Sequence, residues 1–285
     1  MTYLESIKFP NDYNNAFPYC IPAIKYLGSV DFSPITIFAG GNGTGKSTIL
    51  NVIAEKMTDY LPVKKSVGNI TGYFNWFVKQ TACKLYFKEK KMFLPESCRL
   101  IKSEDIMDNI NRRRHSNEKA EKRFKNLENF ALKELDEEMF GTNKNEQEWT
   151  DDQRFNRSLL GYLNYNHGTN SLDDDHSNGE SSMSCFKEFL LEDNSLYLLD
   201  EPENSLAPKF QLELINLIEE CTRYFNCQFI IATHSPFILS LNTNEKIYAK
   251  IYDLNSMPVC EKYWYELGNM KEYAKLFLEN KCYFK

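Results

Sequence analysis

Gly40-Gly41-Asn42-Gly43-Thr44-Gly45-Lys46-Ser47-Thr48 satisfies the spacing G-x-x-x-x-G-K-S/T, a loop that can hold phosphate. Glycines in such a loop let successive backbone N–H groups turn inward around α- and β-phosphates. The positive end of a following helix adds to that attraction. At this spacing Lys46 reaches the β- and γ-phosphates, and the Ser47 hydroxyl is placed as a Mg²⁺ ligand. A second acidic element, Asp200-Glu201, could complete the chemistry. Asp200 is suited to hold Mg²⁺ through water, and Glu201 to polarise a water attacking the γ-phosphate. His234 is the third candidate, an imidazole able to hydrogen-bond that phosphate.

The flanking residues supply elements that could position these groups. Ile35–Ala39 reads as a short buried strand entering the loop, and Ser47–Met57 carries Ile49, Leu50, Val52, Ile53 and Ala54 at helical spacing. A chance lysine in a glycine-rich turn has no reason to sit between a strand and a helix. Leu196–Leu199 reads as a buried parallel strand ending in the two carboxylates, and Gln228–Thr233 as another ending at His234. In an open α/β sheet the ligand lies at the carboxyl ends of strands, so all three endings are expected to share one crevice. Between the last two strands, Lys209–Tyr224 suits a crossover helix presenting Phe210, Leu212, Leu214, Ile215, Leu217 and Ile218.

Composition narrows the partners. Forty acidic against 34 basic residues leave a net charge of −6, which argues against a general nucleic-acid coat while leaving a local basic patch open. Eight cysteines form no C-x-x-C pair, so neither a zinc ribbon nor a thioredoxin-like site is expected. With no signal peptide, they read as reduced thiols in a cytoplasmic protein. No apolar run approaches the roughly 18 residues of a membrane span.

In this order the pieces resemble the ATPase heads of the ABC class, shared by transporters, SMC proteins and related AAA-type ATPases. More narrowly, Ile21-Pro22-Ala23-Ile24, Ser177-Asn178-Gly179-Glu180-Ser181, Leu199-Asp200-Glu201-Pro202-Glu203, Ala232-Thr233-His234-Ser235-Pro236 and the closing Tyr263–Phe284 are similar to a family of small stand-alone bacterial ATPases. The likeness covers roughly residues 1–60 and 175–285. It implies an α/β P-loop NTPase of ABC-head type: a mainly parallel core, an antiparallel β subdomain and an inserted helical subdomain. The core lobe is expected over 1–100 and 190–285, with the insertion over about 101–190.

The resemblance also implies roles. Ser177, Gly179 and Glu180 match the signature motif, departing from its usual L-S-G-G-Q form, and would complete the nucleotide site of a second copy. Asn204-Ser205-Leu206 matches the D-loop and His234 the switch histidine. ATP and Mg²⁺ are the implied cofactors, and a head-to-tail homodimer on ATP binding the implied assembly. The usual Q-loop glutamine is missing, and Glu104 or Asp105 stands near its place, Glu104 being the third candidate metal ligand. Relatives that serve antiphage systems such as Septu and some retrons imply, by fold analogy, a protein partner and a defence role.

The middle of the chain carries less. Tyr73–Val78 and Lys84–Phe87 read as strands, and Ser116–Phe140 as a helix too short for an SMC-type arm. Arg112-Arg113-Arg114-His115 with Lys119, Lys122, Arg123 and Lys125 could meet nucleic-acid phosphate, but interspersed Glu118 and Glu121 favour a solvated helix face. Three functions follow for testing: an ATP-hydrolysing enzyme, an ATP-bound switch restraining a nuclease or toxin, and a transporter motor. No surface for docking membrane helices supports the last.

Overall fold

The computed structural model describes residues 1–10, 17–18, 20–65, 75–88, 91–115, 178–243 and 249–283. Ser177, Lys119–Lys125, the 116–140 helix and the Tyr73-Phe74 part of the first middle strand lie outside them. The chain divides into two compact units, Met1–Ile106 with Ser182–Lys285, and Met107–Ser181. In the second unit the described residues, 107–115 and 178–181, are helical.

The first unit is built on parallel strands. Its elements in chain order are β1 (Leu4–Lys8), α1 (Pro22–Leu27), β2 (Ser29–Asp31), β3 (Ile35–Ala39), α2 (Lys46–Met57), β4 (Val63–Lys65), α3 (Asn75–Gln80), β5 (Ala82–Leu85), β6 (Phe87–Lys88), β7 (Lys91–Met92) and β8 (Ser97–Lys102). After α4 (Asn178–Phe189) come β9 (Ser195–Asp200), α5 (Pro208–Tyr224), β10 (Gln228–Thr233), α6 (Pro236–Leu239), β11 (Ala249–Asp253), β12 (Cys260–Glu261) and α7 (Gly268–Glu279). A seven-stranded sheet runs β12-β11-β3-β10-β9-β8-β4, and a separate three-stranded sheet runs β2-β1-β5. Every pair from β11 to β4 is parallel, whereas β12 and the small sheet are antiparallel.

Every residue of β3, β9 and β10 is buried, as strands covered on both faces must be. Helix α2 packs across β8, β9 and β10 through Ile49, Leu50, Val52, Ile53, Ala54 and Met57. Leu196, Leu198, Ile230 and Ala232 join that cluster. Alternation therefore sends Tyr197, Leu199, Phe229 and Ile231 to the opposite face, where the Tyr197 and Phe229 rings stack at 5.3 Å. The crossover helix α5 packs on β10, burying Leu214, Ile215 and Ile218. Leu212, expected inside, is exposed, and Gln211 is buried in its stead. A polar residue can take that place because its amide donates to Leu206 O at 2.9 Å and accepts from Ser235 Oγ at 2.6 Å.

One expected strand is a helix: Asn75–Gln80 forms α3. Trp76 and Phe77 favour strands by propensity, but propensity yields to packing. Phe77 is fully buried as a helical residue, its ring stacked on Phe9 at 5.8 Å, and Thr81 closes the turn by donating to Phe77 O through both N and Oγ1. The other middle segment is extended, as β5 and β6.

Side chains tie the small sheet to the large one: the Tyr252 hydroxyl accepts from Asp31 N at 3.1 Å and donates to Asp31 O at 2.9 Å, and Gln228 reaches β1. Gln228 is buried at the start of β10, and its Oε1 accepts from the N–H groups of Tyr3 and Leu4 at 2.8 and 2.9 Å. Its Nε2 donates to Leu4 O and Ser33 O at 3.0 and 3.2 Å. Gln228→Leu keeps the volume but strands four buried backbone groups, each costing about 1–3 kcal/mol when unpaired. Local relaxation recovers part of that, so a net loss of roughly 3 kcal/mol is expected, read as a lower urea midpoint. A midpoint unchanged from wild type would show that β1 is held by its apolar contacts instead.

Candidate nucleotide site

The parallel registers bring the three strand endings level. Thr233 pairs with Ala39, and Ala232 with Asp200, so Gly40, Asp200-Glu201 and His234 emerge side by side at one edge of the sheet. The loop from Gly40 to Gly45 then enters α2, whose N-terminus has no side-chain cap. Its first N–H groups have no intrahelical acceptor and are available to an anion. Glycine is required at two positions. Gly45 has φ +98°, and a Cβ there would sit 2.8 Å from Ile21 Cγ2; at Gly40 a Cβ would meet Thr44 Oγ1 at 2.5 Å. Gly43, at φ +78°, faces open space, as does the exposed Asn42. Thr44 Oγ1 donates to Gly41 O at 2.9 Å, and Thr48 lies in the first turn of α2.

Lys46 is 3 % exposed, and its ammonium folds back over its own loop, 3.0 Å from both Gly40 O and Gly41 O. The same Nζ lies 3.0 Å from Glu201 Oε1. Glu201 is held in the left-handed region at φ 47°, a conformation that costs a non-glycine residue about 1–2 kcal/mol. Its N–H donates to Ala232 O at 2.9 Å, and its Oε2 accepts from Asn204 Nδ2 at 2.9 Å. Burial pushes the Glu201 carboxyl up, but Asn204, Lys46 and His234 together hold it below the usual carboxylate range. It is thereby kept ionised, the form that can accept a proton.

Asp200 is the contrasting carboxylate. It accepts from Ser47 Oγ at 2.9 Å, and burial pushes it up to about 6 against the opposing pull of Ser47, Lys102 and Lys46. Its neighbour in β8 is Lys102, paired in register. Glu104 lies two residues further, exposed in the first turn of helical residues 103–115, and Asp105 accepts from Lys102 N at 3.0 Å. Ser47 and Asp200 together offer a hard cation two oxygens. Among the described residues no group of three or more His, Cys, Asp or Glu converges on such a point. Two protein oxygens suit Mg²⁺, which keeps several waters and binds with substrate phosphates, better than an ion needing an all-protein cage.

The Asp200 shift has a consequence for stability. Its folded pKa, about 6, lies above its ordinary value of 3.8, so the folded state holds this proton more tightly than the unfolded chain. Stability from this group is therefore highest below about pH 4 and falls as pH rises through about 4 to 6, a loss on the order of 3 kcal/mol when complete. Asp200→Asn keeps an acceptor for Ser47 and is expected to be more stable than wild type at pH 7. The difference between the two urea midpoints should vanish at low pH. A difference independent of pH would assign the effect to something other than this carboxyl.

Several neighbours have no signature in local spacing. Glu203 is buried behind His234, with Oε1 accepting from Thr233 Oγ1 at 2.7 Å and from His234 N at 2.8 Å. Asn255, beyond β11, accepts from Gly41 N at 3.1 Å and so ties the phosphate loop to the turn before β12. A cavity of about 640 Å³ opens here, lined by Gly40, Gly41, His234, Asn255, Lys262 and Asn269 among others. Gly179 and Glu180 stand in the first turn of α4, in the Met107–Ser181 unit.

Comparison with known proteins gives a family. No curated protein matches the sequence. Among solved structures, the chain is similar to cbiO1 from Clostridium perfringens, part of the ABC transporter complex cbiONQ. That match has 15 % identity over 97 % of this chain and 95 % of the other, with a TM-score of 0.42. It is also similar to the Smc head domain from Pyrococcus furiosus, crystallised with the C-terminal domain of ScpA. There the identity is 11 %, over 99 % and 100 % of the two chains, with a TM-score of 0.39. The family described as "AAA domain, putative AbiEii toxin, Type IV TA system" matches residues 58–240, well over half the chain and inclusive of Asp200, Glu201 and His234. With the phosphate-loop fold on which those residues converge, the chain belongs to this AAA-domain family of P-loop NTPases.

Proposed function

We propose that the protein binds Mg·ATP and hydrolyses it, with two copies closing head to tail around the nucleotide. The observation that carries this reading is the pairing across the sheet edge: Ser47 Oγ with Asp200 at 2.9 Å, and Lys46 with Glu201 at 3.0 Å. The residues of a phosphate loop and those of an acidic strand, 153 positions apart in the Ser47–Asp200 pair, meet in hydrogen-bonding contact. In this reading the loop N–H groups from Asn42 to Thr48 cradle the phosphates, and Lys46 swings from Glu201 onto the β- and γ-phosphates. Ser47 and Asp200 would hold Mg²⁺, with Glu104 a third candidate. The ion supplies charge neutralisation at the phosphates.

Glu201 is assigned as the general base for the attacking water, and His234 as the donor to the γ-phosphate. Attack displaces ADP and leaves inorganic phosphate, the water's proton passing to Glu201. Ser177, Gly179 and Glu180 are assigned to the nucleotide held by the other copy, which makes the site incomplete in one chain. A protein partner is then what opening and closing of the pair would act upon, and an antiphage role is the biological setting that the resemblance suggests. No helix among the described residues is long and apolar enough to cross a membrane.

The test is the mass of Glu201→Gln by light scattering, with and without Mg·ATP. Doubling on ATP supports closure in trans. A monomer that binds ATP and stays a monomer removes the head-to-tail assignment. The alternative switch, which holds a partner nuclease or toxin with little turnover, would show as ATP-driven doubling of wild type without phosphate release.

A further inference from the structure

His234 is 44 % exposed at its side chain and lines the cavity beside Gly40 and Gly41, whereas the Glu203 carboxylate behind it is only 5 % exposed. Three donors converge on one oxygen of that carboxylate. Thr233 Oγ1 and His234 N donate to Oε1, and His234 Nδ1 lies 3.2 Å from it. Its second oxygen, Oε2, is buried with no hydrogen-bond partner. A buried carboxylate left half-satisfied is costly unless a positive charge balances it. The His234 backbone cannot drift: Ser235 N donates to Thr233 Oγ1 at 3.0 Å, and Ser235 Oγ donates to Gln211 at 2.6 Å.

We propose that Glu203 is a positioning residue that holds the His234 imidazole with hydrogen on Nδ1 and Nε2 turned toward the γ-phosphate. This rests on the reading of His234 as the γ-phosphate contact. The hydrogen-bond partner of one ring nitrogen sets what the other can do. A carboxylate oxygen only accepts, so Nδ1 carries the hydrogen. A phosphate oxygen also only accepts, so a His234 that meets it through Nε2 must carry hydrogen on both ring nitrogens. The ring is then an imidazolium between two anions, and Glu203 balances its charge. Glu201, whose carboxylate also feels His234, is the other anion facing the ring. Glu203 is thus neither the base nor a ligand of nucleotide; it acts through His234.

The experiment uses the full chain with ¹⁵N-labelled histidine, the His234 signals being assigned among the four histidines by their loss in His234→Gln. Wild type is expected to show a hydrogen-bearing Nδ1. Glu203→Gln keeps an acceptor and should keep that signature; Glu203→Met should lose it, with Nδ1 and Nε2 sharing the hydrogen. In steady-state hydrolysis, Glu203→Met should lower kcat about tenfold or more with KM near wild type, the range for losing a group that orients another. Hydrogen confined to Nε2 in wild type would overturn the proposal. So would an unaltered ring in Glu203→Met, or a fall in thermal midpoint that fully accounts for the lost activity. Absence of ATPase activity in wild type would overturn the proposed function, and the nitrogen signals would still decide the role of Glu203.

Discussion

Glu201→Gln should cut ATP turnover about a thousandfold while binding nucleotide more tightly than wild type. The first effect follows from losing the carboxylate proposed as base for the attacking water, a contribution typically about 10²–10⁴-fold. The second follows from the contacts of Lys46. Its ammonium is spent on Glu201 and on two carbonyls of its own loop, all at 3.0 Å. Phosphate must draw Lys46 off this set, and a charge-assisted contact of that kind is worth about 1.5–3 kcal/mol. A neutral glutamine weakens the hold, so a gain of roughly tenfold in affinity is expected, equivalent to about 1.4 kcal/mol. Steady-state phosphate release and calorimetric titration read the two effects separately. Turnover at the wild-type rate would remove Glu201 as base. Unchanged affinity would mean that the Lys46–Glu201 contact does not compete with phosphate.

Lys46→Ala is expected to weaken nucleotide binding by about a hundredfold or more, through loss of two charge-assisted contacts to phosphate. The fold should survive. Lys46 stands in the first turn of α2, and the apolar residues that anchor the helix begin at Ile49. The Gly40 and Gly41 carbonyls lose a donor, but they border the open cavity and can turn to water. Circular dichroism should therefore match wild type while fluorescent-nucleotide titration shows the loss. A variant that binds ATP normally would mean that the loop holds phosphate through its N–H groups and the helix terminus alone.

The local sequence determined a good deal of this protein. The strand, glycine loop and helix around Lys46 were legible because each has a fixed period or a fixed spacing. The same holds for the apolar runs Leu196–Leu199 and Phe229–Ala232 leading to Asp200 and His234, since a parallel strand buried on both faces is largely apolar. These features are short-range, and short-range constraints are written in adjacent residues.

What only the tertiary structure decided are the partnerships between distant polar groups. Spacing presents Glu203 as an acid beside a turn; its contact with His234, thirty-one positions away, makes it part of the site. Asn255 meets the phosphate loop 214 positions from Gly41, and Gln228 stitches β1 to the sheet across 225. The register that sets Lys102 beside Asp200 has no trace in either segment alone. Trp76 and Phe77 show the reverse, since their β-favouring character yields to a buried slot against Phe9 that a helix fills better. In each case the deciding quantity is desolvation. A polar or aromatic side chain is placed by the group that makes its burial tolerable, and that group is brought near only by the completed fold.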